Sequence, residues 1–392
     1  MKPTFFISYS RILEVICMSV KKDEKRGTFY FVIDAGKDEH GKRKQIKRRG
    51  FRTEKEAKRE MRKLQQQLDN NTYIKPSKML FAEFLKEWLQ SKSVKLRKIT
   101  LQAYTQRVEH HIIPELGHHE IIKITTAMIE KFYIKLRTEK GLSERSILDV
   151  HKVLKSSFEA AVKRKYVSFN PVRDAETPKV SQKEMMVWDL QETSAFLNAA
   201  RDNRLYIAFL LALTTGMRQS EILGLTWKDI DLENGTLTVR QTLSHDGKEL
   251  SAQTKTKTST RNISLNNKTV AELKKHKRIV TKEKLACGPL YKDLNLVVCT
   301  SNGTPVIPRN LLRSFYAIIK KAEVPKIRFH DLRHTVATLM LKEGINPKIV
   351  KEILGHSDIR ITLDTYSHVL PSIHKETAQK YGDMLFGKEN ML

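Results

Sequence analysis

The sequence predicts a multidomain, mainly α-helical protein: a small N-terminal β-sheet with one helix, an α-helical bundle, and a mixed α+β C-terminal domain. Three observations carry that expectation. At 392 residues the chain exceeds one ordinary hydrophobic core and calls for two or three domains. Strand-like alternation before residue 52 gives way to apolar positions that recur at helical spacing to about residue 170. Beyond a polar stretch from Glu176 to Lys183, strand and helix patterns mix. The expected divisions are an extension outside the fold at 1–20, the sheet and helix at 21–72, the bundle at 78–173, and the last domain with a C-terminal tail at 184–392.

Charge restricts the partners. The chain has 72 Lys+Arg against 44 Asp+Glu, a net charge of +28, and a pI near 9.9. No region is neutral, so contact with a polyanion along the whole length fits better than a single basic tail, and nucleic acid is the commonest such partner. Cys17, Cys287 and Cys299 are widely spaced, have no metal-ligand spacing and suit a reducing cytosol. The apolar start, Phe5 to Val20, is interrupted by Arg11 and Glu14 and precedes no small-residue cleavage site. It falls short of the roughly 18 apolar residues that a membrane span needs, so neither anchor nor signal peptide is expected.

From Gly27, Thr28-Phe29-Tyr30-Phe31-Val32-Ile33 reads as a strand, Asp38-Glu39-His40-Gly41 as a turn, and Lys42 to Phe51 as a second, basic strand. Thr53 and Glu56 form a capping box for a helix with Ala57, Met61, Leu64 and Leu68 on one face. The exposed strand face is cationic enough to lie against phosphates; a solvated basic hairpin is the bland alternative. After the polar connector 70–79, helical stripes follow at Leu80 to Leu89, at Leu101-Tyr104-Val108-Ile112 behind Thr100, at Met128 to Leu136, and at Ile147 to Val162 behind Ser143. They make a small bundle. His110-His111 and His118-His119 are neighbours that point in different directions, with no carboxylate or cysteine set to complete a metal site.

In the third region Asp189 and Glu192 cap a helix, and the apolar run Leu205 to Leu213 is long enough for a helix buried on most sides. Thr214-Thr215-Gly216 ends it, and a short helix from Met217 puts Arg218 at the lip of the core. Strands are expected around Leu237 to Val239 and Ile263 to Leu265, with Thr254-Lys255-Thr256-Lys257-Thr258-Ser259-Thr260-Arg261 in the hairpin between them. Helices resume from Lys268. Arg328 to His334 opens a helix whose Leu332, Val336, Leu339 and Met340 face inward, and His330 and Arg333 share a face. Gly344 stops it. Asn346-Pro347 starts the next, with Ile349, Val350, Ile353 and Leu354 as its buried stripe, and Gly355 places His356 at a forced turn. Thr362 begins a short helical pattern that carries Leu363 inward and brings Tyr366 onto the same segment.

Thr215-Gly216-Met217-Arg218-Gln219-Ser220-Glu221-Ile222, then His330-Asp331-Leu332-Arg333-His334, then Leu354-Gly355-His356-Ser357 through Leu363-Asp364-Thr365-Tyr366-Ser367-His368 resemble, in order and approximate spacing, the boxes of the tyrosine recombinases of phage-integrase type. The resemblance covers about 186–385. The bundle resembles the family's core-site DNA-binding domain, and the basic hairpin unit resembles the arm-site module of integrases from mobile elements. It implies a site-specific recombinase of the bacterial cytoplasm that integrates or excises a phage or other mobile element. Arg218, His330, Arg333 and His356 would then activate phosphate, Tyr366 would attack, and a hairpin lysine would protonate the leaving group. Lys255 opens the Lys-Thr motif and is the choice for that lysine; Lys257, two residues on, stays open. Ser264 departs from the proline common in relatives, which bears on strand geometry and on the lysine register.

The chemistry suits these residues. Charge on two non-bridging phosphate oxygens matches guanidinium groups, which are permanently charged and planar. A tyrosine of ordinary pKa about 10 needs a positive field or a base to attack at neutral pH. The 5′-oxygen needs a proton as it leaves, which a lysine beside two arginines can give, and a histidine can carry protons near neutrality. The phosphotyrosine bond stores the cleaved linkage, so no cofactor, nucleotide or metal is called for. Singly, each residue has an ordinary reading: Arg218 as a surface ion pair, Glu221 as a clamp for a neighbouring arginine, His334 as a superficial metal partner of His330. Their joint order decides. The alternatives are a DNA-binding regulatory or architectural protein without catalysis and a type IB-like topoisomerase. The implied partners are double-stranded DNA at core and arm sites and a homotetramer on DNA, with an excisionase and a host DNA-bending protein as further candidates. The apolar stripe in 369–392 would dock on a neighbouring subunit or pack on its own domain.

Overall fold

A computed structural model of the chain describes residues 19–37, 41–70, 78–180, 185–252, 260–365, 378 and 381–385. They fall into two compact units divided at residues 182/183. Lys255, Lys257 and Tyr366 lie outside the described residues, as does most of the apolar stripe after residue 369.

In the first unit, β1 (Lys21–Asp23), β2 (Thr28–Lys37) and β3 (Arg43–Phe51) form an antiparallel sheet in that order. Phe31, Ile33 and Ile46 bury against Ala57 and Leu64 of α1 (Glu54–Asp69). Because side chains alternate along a strand, Tyr30, Lys47 and Arg49 fall on the other face, and the register pairs Tyr30 with Arg49 and with Lys21 of β1. The Lys47 ammonium stands 4.7 Å over the Tyr30 ring. β1 completes the two or three strands that the sequence allows for this unit, as an edge strand of three residues, too short to carry a periodicity of its own. Thr53 caps α1 by accepting the Glu56 N–H, whereas the Glu56 carboxylate reaches the N–H of Arg52 rather than that of the cap.

The bundle comprises α2 (Phe81–Ser93), α3 (Lys98–Arg107), a π-helical turn (Val108–Ile112), α4 (Ile113–Leu116), α5 (Thr126–Thr138) and α6 (Glu144–Lys163). Phe81, Phe84, Trp88, Phe132, Leu154 and Phe158 belong to its core. The stripe expected as one helix behind Thr100 departs in two ways. α3 starts earlier, at Lys98, and the chain widens into a π-turn where Pro114 has no N–H to give the His110 carbonyl.

The second unit runs through α7 (Leu190–Ala200), α8 (Tyr206–Thr215), α9 (Gln219–Gly224), β4 (Ile230–Asp231), β5 (Thr236–Val239), β6 (Gln241–Leu243), β7 (Leu250–Ala252) and β8 (Arg261–Ser264). It continues with α10 (Asn267–Cys287), α11 (Pro308–Ala322), α12 (Asp331–Lys342), α13 (Pro347–Leu354) and α14 (Ile359–Thr365). Asp189 and Glu192 close a reciprocal capping box at α7, each contact 2.8 Å. β5 and β8 pair as expected, Leu237 opposite Ile263, in a sheet ordered β4-β5-β8. The expected single hairpin is nonetheless two devices, because β6 and β7 form a separate ribbon. The Gln241 side chain ties that ribbon to the Gly224 carbonyl of α9 at 2.7 Å.

α8 is buried from Ile207 to Ala212. An aromatic cluster surrounds it: Phe315 of α11 lies 5.4 Å from Phe196, 6.0 Å from Phe209 and 5.3 Å from Phe329, ring centre to ring centre. Trp188 joins this cluster and donates its indole N–H to the Pro325 carbonyl. On α12 the buried apolar positions are Leu332, Val336, Ala337 and Leu341, while Leu339 and Met340 are half-buried. On α13 Val350 and Leu354 are buried but Ile349 is exposed, because this short helix meets α12 along one narrow line through Ala337 and Leu341. The Phe315→Ala variant should lose about 3–5 kcal/mol of stability through the cavity it leaves. Urea unfolding of the full chain checks this, with the loss expected in the transition that carries the second unit.

Candidate active site

Arg218 owes its place to the end of α8. Gly216 takes a left-handed conformation, φ +62°, and an added Cβ there would sit 2.5 Å from Leu354 Cδ2. This close turn leads through Met217 into α9, where Arg218 is the N-cap residue. Its backbone N–H and its Nη1 donate to the two carboxylate oxygens of Glu221, at 2.9 and 2.8 Å. The Arg218 side chain is 39% exposed, whereas that of Glu221 is 1% exposed. Arg261, at the start of β8, grips the same carboxylate through Nη2 at 2.8 Å and Nη1 at 3.2 Å. Burial works to raise the Glu221 pKa, but the hydrogen bonds and charge of Arg261 and the charge of Arg218 prevail and hold it at about 2.

Arg333, in the first turn of α12, is 3% exposed. Its guanidinium donates to the carbonyls of Gly216 at 2.8 Å and Leu354. Both carbonyls stand at helix C-termini, where the last turn leaves acceptors without intrahelical donors and partial negative charge gathers. His330 is the residue before α12, and the Asp331 carboxylate accepts the Arg328 backbone N–H at 2.8 Å. Gly355, φ +68°, ends α13 and turns the chain so that His356 faces this group. His356 Nδ1 lies 2.9 Å from the Thr362 hydroxyl of α14.

Three imidazoles share this positive surrounding. The His330 pKa is lowered, first by burial and then by Arg333 and Arg218. His356 falls to about 4 through burial, then Arg333, Arg218, His334 and Arg261. His334, whose ring meets His330 edge-on at 5.2 Å, also falls to about 4, through burial and then His330, with Asp331 opposing. Near neutral pH these rings are uncharged, and the positive field belongs to the guanidinium groups. When Thr362 donates to His356 Nδ1, Nε2 carries the proton and is the donor presented outward.

Arg218, His330, Arg333 and His356 are therefore brought together where α8, α12 and α13 meet. No group of three His, Cys, Asp or Glu is placed to hold a metal ion among the described residues. None of their helices is long and apolar enough to cross a membrane. Arg261 is the residue that sequence reasoning passed over. Its signal was the alternation of β8, in which Arg261 and Ile263 are buried and Asn262 and Ser264 exposed, so a charge sits on the core face. Depressed histidine pKa values stabilise the fold above the unfolded value of about 6.5, and the gain is lost as pH falls toward about 4, because the unfolded chain binds protons that the folded one refuses. The urea midpoint of the second unit should fall between about pH 7.5 and about pH 5, and His334→Gln should make that fall smaller.

The sequence model described as "Phage integrase family" matches residues 187–372, "Arm DNA-binding domain" matches 19–68, and "Phage integrase, N-terminal SAM-like domain" matches 80–137. A tyrosine recombinase XerC-like protein of Caldanaerobacter subterraneus subsp. tengcongensis is 30% identical over 385 residues, covering 92% of this chain and 97% of the relative. The ICEBs1 integrase of Bacillus subtilis is 27% identical over 377 residues, covering 94% and 100%. Among solved structures, the Tn1549 transposon integrase in complex with a circular intermediate DNA shares the fold with a TM-score of 0.66 at 22% identity, over 77% of this chain and 99% of that one. A lambda integrase dimer bound to a core site gives a TM-score of 0.58 at 20% identity, over 74% and 95%. With the arginine boxes meeting at three helix ends and a relative matched along nearly its whole length, the chain belongs to the phage integrase family, the tyrosine recombinases.

Proposed function

We propose that this site-specific recombinase cleaves and rejoins duplex DNA through a 3′-phosphotyrosine bond formed on Tyr366, and so integrates or excises a mobile element. The observation that carries the reading is the meeting of Arg218 and Arg333 with uncharged His330 and His356 in one half-open site. Arg218, the more open arginine, grips a non-bridging oxygen of the scissile phosphate, and Arg333 supplies charge from below. The Tyr366 oxygen bonds to phosphorus as the bond to the 5′-oxygen breaks. The phenolic proton passes to an uncharged imidazole, and the leaving 5′-oxygen takes a proton from Lys255 or Lys257. A 5′-hydroxyl of another strand reverses these steps, restoring the phosphodiester and the free tyrosine.

The remaining modules place the DNA. The helical bundle holds the core site, and the solvent face of the N-terminal sheet, with Lys21, Tyr30, Lys47 and Arg49, lies against arm-site phosphates. Exchange of four strands requires four nucleophiles, so the active assembly is a homotetramer on DNA.

Incubating the Tyr366→Phe variant with a nicked suicide substrate should leave half-site binding intact and remove the covalent protein-DNA band given by the wild type. A band from the Phe variant would move the nucleophile elsewhere. For the arm face, the triple change Lys21→Ala, Lys47→Ala, Arg49→Ala should weaken full-site binding and lower the log-log salt slope by roughly 0.9 for each phosphate that the protein no longer neutralises. Core-duplex cleavage should be spared. An unchanged slope would make that face a solvated one.

A further inference from the structure

We propose that Arg261 is a positioning residue for recombination: by neutralising buried Glu221, it leaves Arg218 with net positive charge for the scissile phosphate. The proposal rests on Arg218 being the phosphate-gripping arginine, as argued above. Arg261 is almost wholly enclosed, its side chain 7% exposed. Its Nη2 and Nη1 occupy both Glu221 oxygens, and its Nε donates to the Ile353 carbonyl at 2.8 Å. Its flat face lies on Gly355, where an added Cβ would come within 2.9 Å of Arg261 Cδ and 3.0 Å of Nη1. Arg261 thus joins the helix that presents Arg218 to the turn that presents His356.

The charge arithmetic sets its importance. Arg218, Glu221 and Arg261 together carry a net charge of +1, and the exposed member is Arg218. Without Arg261, the buried carboxylate would have Arg218 as the remaining guanidinium of this trio. The pair would be neutral, and the fork geometry of guanidinium and carboxylate would draw Arg218 from its single Nη contact into a two-point pair directed inward. At Arg218 the phosphate would then meet an inward-turned ion pair in place of a net cation, with Arg333 left to supply positive charge. A buried ion pair that served packing alone would, when broken, lower stability and half-site binding along with cleavage, whereas the positioning role singles out cleavage.

The test compares single-turnover cleavage at saturating full-length protein with half-site affinity at fixed salt. Arg261→Gln, which keeps hydrogen-bonding capacity without charge, should bind the half-site within about twofold of wild type yet cleave about 10²–10³-fold more slowly, the loss typical of an electrostatic contact in a transition state. Arg261→Lys, which keeps the charge, should cleave within about tenfold of wild type. Adding Glu221→Gln to Arg261→Gln restores the net charge of the trio and should recover at least about tenfold of the lost rate. The proposal is overturned if Arg261→Gln cleaves within about threefold of wild type, or if the double variant is no faster than Arg261→Gln. Should Arg261→Gln fail to fold, a folded, DNA-binding Arg261→Lys that cleaves more than about 100-fold slower than wild type overturns it equally. Arg218→Gln separates the two readings. Normal cleavage by that variant defeats the role of Arg218 itself, whereas an inactive Arg218→Gln beside a normal Arg261→Gln defeats the positioning role alone.

Discussion

The site depends on one buried guanidinium that closes two helices at once. α8 and α13 each end in a carbonyl that its own helix leaves without a donor, and Arg333 supplies both from the first turn of α12. The arrangement is mutual. The partial negative charge at two helix C-termini makes it tolerable to bury Arg333, and Arg333 makes it tolerable to bury the helix ends. Removing it would leave two unpaired carbonyls in the interior and would release the two turns that lead to Arg218 and His356. Packing and the placing of Arg218 and His356 therefore draw on the same side chain.

The concentration of cations elsewhere in the site is managed in the same spirit. Glu221 sits between Arg218 and Arg261, so like charges are separated by a carboxylate rather than by distance. The imidazoles answer differently. His330, His334 and His356 are kept from protonation by burial and by their cationic neighbours, and so add no repulsion to the cluster.

Much of this was legible in the sequence because its signals are local. Gly216 and Gly355 mark helix ends, Asp189 and Glu192 mark a helix start, and the boxes around Arg218, His330 and His356 are contiguous. What escaped depends on contacts between segments distant in the chain. The bond from Arg261 to Ile353 spans residues far apart in sequence, and nothing in the sequence near either residue announces it. The π-turn before Pro114 replaced an expected regular helix because a missing N–H is felt one turn earlier, inside an otherwise good stripe. Ile349 read as buried from spacing, yet α13 is too short and too narrowly docked to cover it. The separation of β6 and β7 from the main sheet is likewise set by α9, which the strand pattern does not mention.

α8 is apolar around nearly its whole circumference, so it has no face with which to meet water. Such a helix is not an independent folding unit; it persists only when Phe196, Phe315, Phe329 and their neighbours have already closed around it. Arg218 follows its last residue, Thr215, by three positions, at the N-cap of α9. The consequence is that order at the site is borrowed from the core: a chain in which the aromatic cluster opens loses α8, and with it the turn that sets Arg218 near Arg333 and His356.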